Sequence, residues 1–283
     1  MHDEAFSSAK SVLHRIPPFP TALGMILQSC ASDNPGAAEV AHAVAKEEVL
    51  AAKVVTVANA AVMAPVHQVE NVTAAVSRLG IAAVRTIAMG FYLTETFSRA
   101  FSRSGLDRVS LWRHNLAVAA ASSGSAAGAG ERSNAYFAGL MHDVGKMILA
   151  AELGHAYGDC VAEAAQTGSD ILRIEAKRLG ITHAHIGAEA AAQWHFGPEV
   201  VEAIQHHHDV FGAAKLSTVA ADVLVGNQVA NEMGMQACSL YTSTTPSTVA
   251  STATGVGAGI MSKARWALTQ EVPRIEAMLS AMV

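Results

Sequence analysis

Apolar residues in this chain recur at three- and four-residue steps, and no segment alternates β-branched and polar residues between turn pairs. The first pattern is that of helices with one buried face. The missing two-residue alternation argues against strands. The expected fold class is therefore all-α. Breaks fall where helices should end. The RIPPFP segment, residues 15–20, interrupts any helix entering it, because proline lacks a backbone donor and restricts the residue before it. Gly80 and Gly180 follow amphipathic stretches, as glycines just past a helix end do. Thr21 and Thr182 stand where N-caps are expected, and Asn59 where a C-terminal cap is. Alanine is abundant and aromatics are only 5% of the chain, so the core must rely on close helix packing through small residues.

The 283 residues allow one large or two small domains. The pattern divides into an N-terminal helical block (residues 1–105), a second helical block (106–235), and a flexible linker with a closing helix (236–283). Within the last part, residues 239–259 are rich in Ser, Thr, Ala and Gly. Net charge is −5, so no strongly basic face is implied and large nucleic-acid contacts are not expected. Cys30, Cys160 and Cys238 are too few and too widely spaced for a zinc pair or a disulfide framework. A reducing cytoplasm is the expected setting. The start, MHDEAFSSAK, has no apolar core of a signal peptide. No apolar run is long enough to predict a membrane span. Nothing in the pattern sets an oligomeric state.

Chemistry concentrates at residues 138–147, AGLMHDVGKM. An adjacent imidazole and carboxylate, His142 and Asp143, suit a cation that takes mixed nitrogen and oxygen ligands. Successive side chains on a helix point about 100° apart, so the pair can share an ion only at a helix end or kink. Lys146 lies about one turn beyond His142 and could face a phosphate. The plainer alternative is a buried polar pair in a helix–helix contact. The same block also holds His114, His183, the run His206–His207–His208, and Asp222, spread over separate helices. A metal site inside a helical bundle needs this distribution, with ligands projecting inward from facing helices. His207 and His208 are neighbours, and on a continuous helix they would diverge.

In order, RIPPFP, EEVLAAKVVTVANAA, AAVSRLG, LWRHN, FAGLMHDVGKM, THAHIGAEAAAQW and VEAIQHHHD resemble the HDOD domain (HD-related output domain), a branch of the HD superfamily of metal-dependent phosphohydrolases. The likeness covers roughly residues 15–235. It implies an N-terminal helical subdomain on an HD-like bundle, and a bacterial signalling or regulatory role through a signalling partner or nucleotide-type ligand. The alternative it carries is a metal-dependent phosphohydrolase or phosphodiesterase acting on a nucleotide, with Asp143 and Lys146 as catalytic residues. It further implies that His114, His142, Asp143 and Asp222 match the minimal set for one metal. His183, His207 and His208 fall where binuclear relatives place extra ligands, and the ion would be divalent Fe, Mn, Zn or Mg. Two departures stand out. The Gly-Tyr-Pro segment of cyclic-di-GMP phosphodiesterases is missing, DVFGAAK following His208 instead, and Glu47–Glu48 replaces the usual Asp-Pro.

Overall fold

A computed structural model describes residues 12–31, 36–60, 67–209, 216–237 and 258–282. Helix is the only regular element among the described residues, as the periodicity requires. The chain divides into two compact units.

One unit comprises Pro18–Thr96 with Val272–Val283. Its helices are α1 (Thr21–Ala31), α2 (Ala37–Ala45), α3 (Glu48–Ala58), α4 (Val72–Leu79) and α5 (Ile81–Thr96). Leu23, Ile26, Val40, Val44, Leu50, Val54, Val57 and Ile87 form its core. The Asn71 side chain caps α4 by accepting from the Ala74 N–H. Gly80, at φ 81°, then lets the chain turn by 111° into α5. Asn59 does end α3, but its side chain does more than cap. Its amide accepts from the Val69 N–H and donates to the Val69 carbonyl, both at 2.9 Å. Arg78 braces the same segment by donating to the carbonyls of Ala58 and His67.

The other unit comprises Met1–Pro17 with Phe97–Glu271. It contains α6 (Ser98–Ser104), α7 (Arg108–Ser125), α8 (Ala129–Met141), α9 (Val144–Leu153), α10 (His155–Thr167), α11 (Ile171–Leu179), α12 (His183–Gln193), α13 (Pro198–His206) and α14 (Thr218–Glu232). The division falls before residue 106, because Phe97, Ala100 and Phe101 are buried and α6 packs on α9 and α10. The last helix, α15 (Ala258–Met282), is not a separate region: its residues up to Glu271 belong to this unit and the rest to the other. Of the expected linker, residues 239–259, the stretch 239–257 lies outside the described residues, and the linker's last two residues begin α15.

Small residues set how closely these helices approach, as the alanine content suggested. α7 runs between α8 and α14. A Cβ on Gly139 would come within 2.9 Å of the Ala119 backbone, and one on Gly226 within 2.8 Å of the Val118 carbonyl oxygen. The crossing of α9 and α12 is tighter still, at Gly145 and Gly187.

Candidate metal centre

His142 and Asp143 fall at the junction of α8 and α9: His142 closes one helix and Asp143 precedes the first residue of the next. This is the break that two neighbouring ligands need. His183 is the first residue of α12. α13 ends at His206, so His207 and His208 leave the helical path and converge instead of diverging. His114 alone comes from mid-helix, on α7. Four helix ends and one helix side thus meet at one place, all within the Phe97–Glu271 segment.

The two Asp143 oxygens face different partners. Oδ1 lies 3.3 Å from His183 Nε2 and 3.5 Å from His207 Nε2. Oδ2 lies 3.5 Å from His142 Nε2 and 3.7 Å from His114 Nε2, and accepts from the Lys146 ammonium at 2.6 Å. His208 Nε2 comes within 3.1 Å of His183 Nε2. The result is two ligand groups sharing one carboxylate: Asp143, His183, His207 and His208; and His114, His142 and Asp143.

Four of the five imidazoles are fixed from behind. The Nδ1 atoms of His114, His142 and His207 lie 2.6–2.7 Å from the carbonyl oxygens of Met235, Gly139 and Ile204, which can only accept. His183 Nδ1 meets the Glu175 carboxylate at 2.8 Å. Each of these Nδ1 atoms therefore carries the proton, and four Nε2 lone pairs are left bare and pointing inward. Glu175 is fully buried; it also accepts from the His183 N–H and the Tyr157 hydroxyl.

Burial lowers the basicity of His114, His142, His207 and His208. It takes His114 down to about 4, and His142 and His208 well below their ordinary value. For Asp143 burial works the other way, but the Lys146 ammonium above all offsets it, and the carboxyl is held well below its usual range. Neutral imidazoles around an ionised carboxylate are the protonation states that metal ligation requires. Two observations show that the set fits a cation. Asp143 Oδ1 is buried with no hydrogen-bond donor. Bare Nε2 lone pairs also face one another at 3.2 Å (His114 and His142) and 3.3 Å (His183 and His207), which repels unless positive charge lies between them.

The family profile for the HDOD domain matches residues 16–210, more than half of the chain. The chain belongs to the HDOD family. No curated protein sequence matches it. Among solved structures, a candidate signal transduction protein from Marinobacter aquaeolei VT8 is similar at a TM-score of 0.78 and 23% identity, over 99% of this chain and 66% of that one. This chain thus spans just under two thirds of the Marinobacter protein. An HDOD domain protein with unknown function from Geobacter sulfurreducens gives 0.73 and 20%, covering 100% and 98%. A candidate metal-dependent phosphohydrolase from Shewanella amazonensis SB2B gives 0.64 and 16%, covering 100% and 99%. These likenesses establish the HDOD fold.

Of the residues singled out from the sequence, this HDOD bundle brings together His114, His142, Asp143, Lys146, His183, His207 and His208. Asp222 is not among them. Its carboxylate takes a hydrogen bond from Ser125 at 2.6 Å. Ser125 lies eleven residues beyond His114 on α7, about 16 Å along a helix. α14 runs antiparallel to α7, so it is the Met235 carbonyl, past the helix end, that reaches His114. Glu175 is the residue the sequence reading missed.

Asp222 has its own pH behaviour. Burial pushes its carboxyl up to about 6, against the Ser125 hydrogen bond and helped by Glu131. Ser125 has one hydroxyl proton for two acceptors, Asp222 and the Ser122 carbonyl. A protonated Asp222 donates to Ser125 and lets both bonds form. Between about pH 4 and 6 the folded state thus holds a proton that the unfolded chain releases, and this contribution to stability is lost as pH rises through the window. Asp222→Asn is therefore expected to exceed wild type by about 1 kcal/mol at pH 8, after discounting the solvent that still reaches the group. Denaturant midpoints should show that gap closing by pH 4.

Proposed function

We propose that this HDOD protein is a regulatory module of the reducing cytoplasm. It keeps a divalent metal in its bundle and acts by binding a signalling partner or nucleotide-type ligand rather than by turnover. The observation that carries this reading is enclosure. Asp143, His142 and His183 are fully buried, and His114, His207 and Lys146 nearly so, which leaves His208 as the one ligand open to solvent. A substrate phosphate would have to reach the ion past these packed side chains. Asp143 and the imidazoles would hold the metal, Glu175 would orient His183, and Lys146 would balance charge at Oδ2. A divalent ion that kept an open coordination position would supply acidity to bound water and polarise a phosphoryl oxygen.

The second reading, a phosphohydrolase, is favoured by Lys146 and the half-open His208, which could admit a phosphate edge. One experiment separates the two. The full chain, loaded with Mn²⁺, is incubated with bis(p-nitrophenyl) phosphate and with a panel of nucleotides and cyclic dinucleotides. The regulatory reading expects no turnover above the His142→Ala protein. Turnover that His142→Ala abolishes overturns it in favour of the enzyme.

A further inference from the structure

The two sides of Asp143 are not equivalent. On the Oδ1 side three imidazoles join the carboxylate, and Oδ1 has no donor of its own. On the Oδ2 side there are two imidazoles, Asp222 does not arrive, and the Lys146 ammonium is already seated at 2.6 Å. We propose that the chain holds one divalent ion, on the Oδ1 side between Asp143, His183, His207 and His208, and that Lys146 replaces a second cation on the Oδ2 side. This rests on the metal reading of the pocket given above.

Three arguments support the choice of side. Ligands about 2.0–2.1 Å from a tetrahedral ion lie about 3.3–3.4 Å from one another. Four of the six separations on the Oδ1 side are 3.1, 3.3, 3.3 and 3.5 Å, around that value, whereas those on the Oδ2 side are 3.2, 3.5 and 3.7 Å and run longer. Second, only this side has an imidazole backed by a carboxylate: His183 leans on Glu175, which strengthens it as a donor. On the other side both rings are backed by neutral carbonyls.

The third argument is charge. Among the described residues, the charged groups in or against the cluster are Asp143 and Glu175 on one hand and Lys146 on the other, a formal −1. One dication takes this to +1, and a second would take it to +3 among buried groups, where unbalanced charge is costly. Three imidazoles and one carboxylate with no thiolate suit Zn²⁺ or Fe²⁺. Four protein ligands also leave a tetrahedral ion no corner for water, in the manner of closed, non-catalytic sites.

Elemental analysis of the full chain purified without chelator, followed by stripping and Zn²⁺ titration, tests this. The expected result is one ion per chain. His208→Ala should weaken binding at least a hundredfold, and His114→Ala by no more than threefold. Lys146→Met should admit a second equivalent at saturating Zn²⁺. Two ions in wild type, an ion lost with His114→Ala but kept with His208→Ala, or a single equivalent in Lys146→Met overturns the proposal. X-ray absorption at the zinc edge of the unmodified protein does not depend on any variant folding. Three imidazoles per zinc support the assignment and two overturn it. A wild type that binds no ion defeats the metal reading itself, whereas an ion on the wrong side defeats only this assignment.

Discussion

Asp143→Ala is expected to purify without metal and to lose about 3–5 kcal/mol from the unit that contains it, the cost of stripping a buried charge of its carboxylate counter-ion. That charge is Lys146, whose ammonium sits 2.6 Å from the carboxylate with both side chains almost wholly enclosed. Wild type stripped of metal should lie between the two, because it keeps the ion pair. The double variant D143A/K146M should recover much of the stability while remaining metal-free, since it removes both charges together. Thermal unfolding of the four samples, with metal content measured on each, checks the pattern. An Asp143→Ala protein as stable as stripped wild type would mean that the pair is hydrated and the burial described here is wrong.

The second large effect is expected at Gly145. A Cβ there would sit 1.9 Å from the His183 carbonyl oxygen and 2.9 Å from the Gly187 amide nitrogen. Both obstacles are backbone, so no side chain can swing away. Relief requires α12 to move off α9, and His183 stands at the contacting end of α12. Gly145→Ala should therefore cost about 4 kcal/mol or more, in the range reserved for severe overpacking, and should weaken metal binding through the displaced His183. Gly130→Ala on α8 is the matched control. Nothing lies within 4 Å of a Cβ there, so relief of helical glycine should stabilise by about 0.5–1 kcal/mol. Denaturant titration of the pair measures both. A tolerated Gly145→Ala would show that the two helices are further apart than described.

Much of this was legible because it is local. Helix existence follows from periodicity, and the stops at Gly80 and Gly180 and the Thr182 cap are where the structure has them. The imidazoles could be gathered because each lies within a recognisable motif, in the order the family resemblance requires. Other features depend on how helices align with one another, which no local pattern encodes. Asp222 fits a ligand position by order along the chain, yet the antiparallel pairing of α7 and α14 places it beside Ser125. Glu175 was within reach of the sequence. Ile171, Ile174 and Leu179 are the buried stripe of α11, and Glu175 stands inside that stripe, four residues from Ile171 and from Leu179. An acid in an apolar stripe needs a buried partner, and the His183 that follows the next turn is that partner. The division at Phe97 was missed because α6 looks like an extension of α5 until its partners α9 and α10 are known.

Because the proposed ligands sit at helix ends far apart in sequence, an ion there would close chain loops as a cross-link does. Covalent links spanning about 15 to 100 residues remove about 3–4.7 kcal/mol of disorder from an unfolded chain. A coordinate link from Asp143 through His183 to His207 would act over spans of this kind. Ions that bind only the folded form also favour it in proportion to their free concentration. The stability of the bundle would then rise with the free metal concentration.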